Sequence, residues 1–113
     1  MYKYDEYAIE KALENISIEC VFQDELPEYL YTVNDILCFG FPEECAEDVM
    51  DYILECLSVL GDEIIEQEAY GYKNQVFINA HHSICAVSLE IIDDYKKDIG
   101  YMKRYIEQVV NLF

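Results

Sequence analysis

The side chains best suited to chemistry in this sequence are carboxylates, and they are concentrated in one part of the chain. Residues 12–72 contain sixteen Asp and Glu residues and no Lys, Arg or His, while all seven basic residues lie outside this segment. Unpaired like charge destabilises a compact protein through self-repulsion. The same field attracts a cationic partner and speeds association by roughly 10- to 1,000-fold at low salt. The pattern therefore predicts binding to something basic.

The most clearly patterned element inside this segment is a helix over residues 42–60. Pro42 suits its first turn, and Gly61 is predicted to end it. At about 100° per residue its apolar positions share one face, and acidic residues form a stripe on the opposite face with a tyrosine beside it. The predicted partner-binding residues are those of this helix and of the acidic loop before it: Glu44, Glu47, Asp48, Asp51, Tyr52, Glu55, Asp24, Glu25 and Glu28.

The spacing of these acids indicates what kind of basic surface they would fit. Carboxylates one helical turn apart are roughly 5–6 Å from each other, close to the spacing of successive phosphates in a nucleic-acid strand. A tyrosine ring such as Tyr52 also packs against an arginine guanidinium while a carboxylate accepts its hydrogen bonds. With a net charge of −17, direct binding to nucleic acid or to an anionic membrane is not expected.

Other groups of reactive residues give weaker signals. His81 and His82 are adjacent and are predicted to lie in a turn or at a strand end. On a strand they would point to opposite faces, which disfavours a shared metal ion. Asp24-Glu25 and Asp93-Asp94 could bind a divalent cation, but no EF-hand type of loop is present. Neither a nucleophile with a matched base nor a Gly-rich phosphate loop appears. We therefore expect no enzyme activity, no cofactor and no metal.

Composition places the chain among folded proteins. Its 113 residues suit a single acidic domain over residues 1–113, and 53% hydrophobic content is too high for a disordered acidic tail. The five cysteines have wide spacings and no recognisable signal peptide accompanies them, so they are expected to be reduced and mostly buried. A cytoplasmic location is expected.

The local patterns predict an α+β fold. Helices are predicted over residues 1–16 and 42–60, and a last helix is predicted after a cap at Asp93 or Asp94. Gly100 would weaken this last helix, and its predicted buried residues are Ile99, Met102, Ile106, Val109 and Val110. Alternating or short apolar runs predict strands over residues 18–22, 36–39, 63–70, 75–80 and 84–92, the last three as a meander. The expected architecture is an antiparallel sheet of about four to five strands with three helices packed on it.

Three hypotheses for function follow from the sequence. The first is a small inhibitor that blocks the basic nucleic-acid-binding surface of a nuclease or another nucleic-acid-handling protein. Such a nucleic-acid mimic could be a phage-encoded anti-CRISPR protein or a toxin-immunity protein. The alternative is a non-inhibitory interaction module or homodimeric adaptor whose acidity maintains solubility. The third is a metal-dependent enzyme that uses clustered carboxylates.

Overall fold

Helices account for all the regular secondary structure in the part of the chain that the structure describes. The structure is a computed structural model, and it describes residues 6–18, 21–95 and 100–113. The elements are α1 (Glu6–Ile18), α2 (Leu26–Phe39), a 3₁₀ turn (Glu43–Cys45), α3 (Ala46–Ala69), α4 (Gln75–Tyr95) and α5 (Gly100–Val110). Within these ranges there is no strand, so the predicted α+β fold with an antiparallel sheet is wrong.

Helix α4 lies in the middle of the molecule. It packs against α1, α3 and α5, while α2 packs against α1 and α3. Buried apolar residues from each of the five helices form one contiguous cluster. Its largest fully buried side chains include Ile9 (α1), Leu30 (α2), Leu57 (α3), Phe77 and Ile84 (α4), and Ile106 (α5).

The predicted meander over residues 63–92 is replaced by the end of α3 and by α4. In α4 the alternation of Cys85, Val87, Leu89 and Ile91 suggested a strand, but only Cys85 among these four is fully buried. Ser88, which would lie on the polar face of that predicted strand, is buried, and its hydroxyl donates to the backbone oxygen of Ile84 at 2.6 Å. Because α4 is covered by three other helices, it is apolar on most sides, and this obscured its helical period.

The end of α3 lies about ten residues beyond the predicted one. Gly61 is inside the helix, which ends at Ala69, and the left-handed residue that follows the C-cap is Gly71, with a φ of 89°. There the N–H of Tyr72 donates to the oxygen of Gln67 and the N–H of Gly71 donates to that of Glu68, both at 2.9 Å. These two bonds form a Schellman motif, which needs a left-handed residue that glycine adopts without strain.

The remaining local predictions had mixed outcomes. Residues 36–39 belong to α2, and Asp93 and Asp94 lie inside α4 rather than capping a later helix, so those assignments are wrong. Ile18 ends α1 and residues 21–22 are irregular, which replaces the first predicted strand. Residues 1–5, 19–20 and 96–99 lie outside the described residues, and so does Ile99. The burial of Met102, Ile106 and Val110 on α5 is confirmed, and Val109 is half-buried.

A buried polar network joins three segments of the fold. The Glu63 side chain is 0% exposed, and its two oxygens accept hydrogen bonds from the Gln23 backbone N–H at 2.7 Å and from Gln67 Nε2 at 2.8 Å. Gln67 Oε1 accepts from Asn74 Nδ2 at 3.0 Å, and Asn74 Oδ1 accepts from the Phe77 N–H at 3.1 Å. Asn74 therefore caps α4, and the network links the segment before α2 to α3 and α4.

His81 is another polar residue that the core encloses. Its side chain is 1% exposed, and its ring packs edge-on against Phe113 with centroids 4.9 Å apart. Its Nδ1 lies 3.7 Å from the sulfur of Cys85, one turn along α4. Burial, and to a smaller extent the charge of His82, lowers the pKa of His81 to about 4. The ring is therefore neutral at pH 7.

Replacing Glu63 tests the network. We expect Glu63→Gln to destabilise the fold by about 1–3 kcal/mol. The carboxylate accepts hydrogen bonds from Gln23 and Gln67, and the NH₂ of the new amide would face one of these two donors without a bond. The exposed Glu66→Gln, three residues along α3, is the matched control and should change stability by less than about 0.5 kcal/mol. Urea unfolding of both variants measures the difference. Equal effects would mean that the network contributes nothing specific.

Acidification tests the environment of His81. A histidine whose pKa falls from 6.5 in the unfolded chain to about 4 in the folded protein stabilises the fold above pH 6.5, and this contribution is lost as the pH falls towards 4. The stability advantage of the wild type over His81→Gln should shrink by about 3 kcal/mol between pH 7 and pH 4. The comparison cancels the titration of the surface carboxylates, which both proteins share. A constant difference in urea unfolding would contradict the buried neutral imidazole.

Candidate functional site

The candidate site is the acidic stripe of α3, which the extended helix makes longer than the sequence indicated. At about 100° per residue, Asp48, Asp51, Glu55, Asp62 and Glu66 fall within a band about 60° wide along this helix. All five side chains are exposed. Glu44, in the 3₁₀ turn before α3, is also exposed and continues the stripe towards the N-terminus.

Packing of the other side of α3 fixes the orientation of the stripe. Met50, Ile53, Leu57, Leu60 and Ile64 are all buried in the common apolar cluster. Because these residues recur every three or four positions, their burial turns the acidic stripe towards solvent along the whole helix. Like charges at i and i+4 disfavour the helix by a few tenths of a kcal/mol per pair, so this burial must offset them.

Helix α2 adds a tyrosine to the stripe. The Tyr29 hydroxyl donates to Glu55 Oε2 at 3.0 Å, and the Tyr29 and Tyr52 ring centroids are 5.0 Å apart with the planes inclined at 39°. Glu25, Glu28, Tyr29 and Tyr52 together line an open concavity of about 250 Å³. We call this feature the tyrosine concavity. It combines two aromatic walls with carboxylates, so it suits a planar cation.

The electrostatics of the concavity act on Tyr29 itself. Its pKa is raised above the ordinary value of 10.0, first by the hydrogen bond that it donates to Glu55 and then by partial burial and by the charges of Glu55 and Glu25. Both carboxylates favour the neutral phenol over the phenolate. At neutral pH the phenol therefore stays protonated and keeps donating to Glu55.

The structure brings some of the predicted contact residues together and leaves others apart. Glu25, Glu28, Tyr52 and Glu55 meet around Tyr29. The other predicted acids are exposed, and within the described residues their side chains form no hydrogen bond or ion pair: Asp24, Glu44, Glu47, Asp48 and Asp51.

Tyr29 is the residue that the set of predicted contacts lacked. The sequence predicted an acidic loop here, before the strand over residues 36–39, because Pro27 interrupts the pattern. In the structure Pro27 lies in the first turn of α2, where proline is tolerated. The buried Leu26, Leu30 and Val33 have helical spacing. That spacing was the signal that could have placed Tyr29 on the side facing α3.

Cations and metal ligands are distributed differently from the acids. The described basic side chains, Lys11, Lys73, Lys103 and Arg104, are exposed on α1, on the loop after α3 and on α5. Among the described residues no group of three or more His, Cys, Asp or Glu could hold a metal ion. His81 and His82 lie within α4 rather than at the predicted turn.

The described cysteines divide by exposure. Cys56 and Cys85 are buried free thiols, and burial raises the pKa of each to about 12. Cys45 is half-buried and Cys38 is exposed, while Cys20 lies outside the described residues. A thiol with a pKa near 12 carries almost no thiolate at neutral pH, so Cys56 and Cys85 are poor nucleophiles.

Comparison of the chain with protein-family models, curated proteins and solved structures gave no significant match. In the described residues no helix combines the length and the apolar character needed to cross a membrane. The argument for function therefore depends on the geometry and charge of α2 and α3.

Titration of Tyr29 tests the geometry of the concavity. NMR of the tyrosine ring carbons should show Tyr29 ionising at a higher pH than an exposed tyrosine. Glu55→Gln should lower its pKa, because the substitution removes both the anionic acceptor and its charge. Asp51→Asn, one turn away and without a contact to Tyr29, is the control and should have a smaller effect. A Tyr29 pKa insensitive to Glu55→Gln would show that α2 is placed differently.

Proposed function

We propose that this protein is a small acidic inhibitor that binds the basic nucleic-acid-binding surface of a nuclease or another nucleic-acid-handling protein. It would act in the cytoplasm as a stoichiometric mimic of nucleic acid, without catalysing a reaction. The partner would be a basic protein, and neither nucleic acid nor a membrane would be bound directly.

The observation that carries the proposal is the exposed acidic stripe of α3, from Asp48 to Glu66, on a helix without Lys or Arg. Helices α2 and α3 contain no Lys or Arg. An ordinary solvated helix mixes both signs of charge, which lowers self-repulsion. An unmixed stripe instead produces a field that orients an approaching cationic surface and speeds its association.

The tyrosine concavity supports a contact with arginine in particular. A guanidinium bound in the concavity, against the Tyr29–Tyr52 ring pair rather than between the rings, would contact aromatic surface and the carboxylates of Glu25 and Glu28. Arginine presents a planar fork of donors, whereas lysine presents a point charge, so arginine uses both kinds of wall. Nucleic-acid-binding surfaces are rich in arginine because it binds phosphate in the same way.

Two biological settings share this chemistry. One is a phage protein that blocks a bacterial defence nuclease, such as an anti-CRISPR protein, and the other is an immunity protein that neutralises a nuclease toxin. Both require an acidic surface that competes with nucleic acid for a basic cleft. The genes that neighbour this one would separate the two settings.

Exposed apolar residues on α2 favour a second candidate, a homodimeric adaptor. Phe39 is 85% exposed and Tyr31 is 56% exposed. Large apolar side chains that are exposed together on a surface often mark an interface. This candidate predicts a dimer by analytical ultracentrifugation that dissociates in Phe39→Ser. The inhibitor hypothesis requires no dimer.

Charge reversal on α3 tests the proposed function. The test variant has three changes to Lys, at Asp48, Asp51 and Glu55. This variant and the wild type would each be immobilised and exposed to host lysate. Mass spectrometry would then identify a retained nucleic-acid-binding protein. For that purified partner we expect the variant to bind at least about 100-fold more weakly and with a smaller salt dependence, because attractive pairs become repulsive.

The matched control changes the same net charge elsewhere. Glu10, Glu90 and Glu107 are exposed on α1, α4 and α5, and changing all three to Lys should weaken binding by less than about fivefold. A second assay measures whether wild type displaces a labelled oligonucleotide from the partner. Equal losses for the two triple variants would refute a contact through α3, and unhindered oligonucleotide binding would refute inhibition by mimicry.

A further inference from the structure

A second concave feature lies on the other side of the acidic stripe, between α3 and α5. This groove has a volume of about 100 Å³, and its lining includes Leu57, Gly61, Asp62, His81, Val109 and Phe113. Its mouth carries two exposed apolar side chains, Ile65 (51% exposed) and Leu112 (64% exposed). Asp62 is exposed and belongs to both the groove and the acidic stripe.

His81 gives the groove a buried polar group. Its Nδ1 side contacts Cys85 of its own helix, and its Nε2 faces α3, 3.9 Å from the position that a Cβ on Gly61 would occupy. Among the described residues no group forms a hydrogen bond with Nε2. Because Gly61 has no side chain, the space beside this nitrogen stays open to the groove. A ligand in the groove can therefore reach this nitrogen and donate a hydrogen bond to it.

The charge and shape of the groove select the ligand. The lining contains one carboxylate, from Asp62, and no Lys or Arg. The net charge of −17 repels anions as well. The hydrocarbon walls suit a compact apolar group. A closed cavity of roughly 150 Å³ holds a benzene ring, so an open groove of about 100 Å³ can hold most of such a ring.

We propose that this groove binds a small apolar amine, with the ammonium group near Asp62 and Nε2 of His81 and the hydrocarbon against Val109 and Phe113. The imidazole is neutral at pH 7, so it does not repel a cation and can accept a hydrogen bond through Nε2 when Nδ1 carries the proton. Asp62 supplies the charge complement. The site is separate from the tyrosine concavity and does not depend on the proposed inhibitory function.

Titration with benzylamine, followed by ¹H–¹⁵N NMR, tests the site. Benzylamine should shift signals from residues around the groove, with a dissociation constant in the millimolar range, as is usual for so few atoms. Benzyl alcohol has nearly the same shape but no charge, so it cannot form the ion pair with Asp62. It should bind at least about fivefold more weakly, since a partly exposed ion pair changes a dissociation constant by a factor of this order. Benzoate should not bind.

Two variants localise the effect while keeping the fold. Asp62→Asn should weaken benzylamine binding about fivefold, whereas Asp51→Asn, which removes an equal charge outside the groove, should change it less than about twofold. Gly61→Ala adds a methyl group in ordinary contact with Phe113 and beside Nε2, so it should fold normally yet weaken binding at least about threefold.

Three results would overturn the proposal: equal affinities for benzylamine and benzyl alcohol, equal effects of Asp62→Asn and Asp51→Asn, or no groove signal shifted by about 10 mM benzylamine. None of these results would affect binding of a basic partner through α3, because Asp48, Asp51 and Glu55 do not line the groove. Loss of partner binding in the triple lysine variant would likewise leave benzylamine binding intact.

Discussion

Burial of the apolar side of α3 is the interaction on which the rest of the structure depends. This helix packs against α2, α4 and α5, and Met50, Ile53, Leu57 and Leu60 are almost completely buried there. The same helix bears a row of like charges on its other side, and those charges oppose folding. Because apolar burial stabilises by about 25 cal/mol per Å², a few such side chains outweigh several repulsive pairs of a few tenths of a kcal/mol each. Burial of the core beneath the acidic surface therefore offsets the repulsion between its charges.

Polar groups inside the molecule set the relation between the helices that carry the surface. Glu63 holds the backbone of Gln23, just before α2, and is joined through Gln67 to the cap of α4 at Asn74. Hydrogen bonds are directional, whereas apolar contacts tolerate sliding, so this network restrains how α2 lies against α3. That placement puts Tyr29 beside Tyr52 and Glu55. One acid of the segment rich in carboxylates thus organises the interior, while the other described acids of that segment face solvent.

The sequence was informative where a helix has one clear apolar face and misleading where it does not. The segregated acids, the helical nature of residues 46–60 and the buried positions of α5 followed directly from charge and period. Helix α4 was not predicted because three neighbours cover it. Its buried set includes Ser88 and His81, and its exposed polar residues Gln75, Asn79, Glu90 and Asp93 form only a narrow face. Gly61 resembled a helix end, but only the left-handed backbone at Gly71 ends α3. Tyr29 was missed because its partner Glu55 is 26 residues away, and no local pattern reports such a pairing.

The length of α3 has a consequence for any cleft that receives its acidic row. At 1.5 Å per residue, the row from Asp48 to Glu66 extends about 27 Å along a straight axis. Phosphates on one strand of a duplex advance about 3.4 Å per base pair, so the row covers about eight base pairs. A rigid helix cannot bend to follow a tightly curved channel. The matching cleft must therefore be nearly straight and long enough to hold most of one turn of DNA.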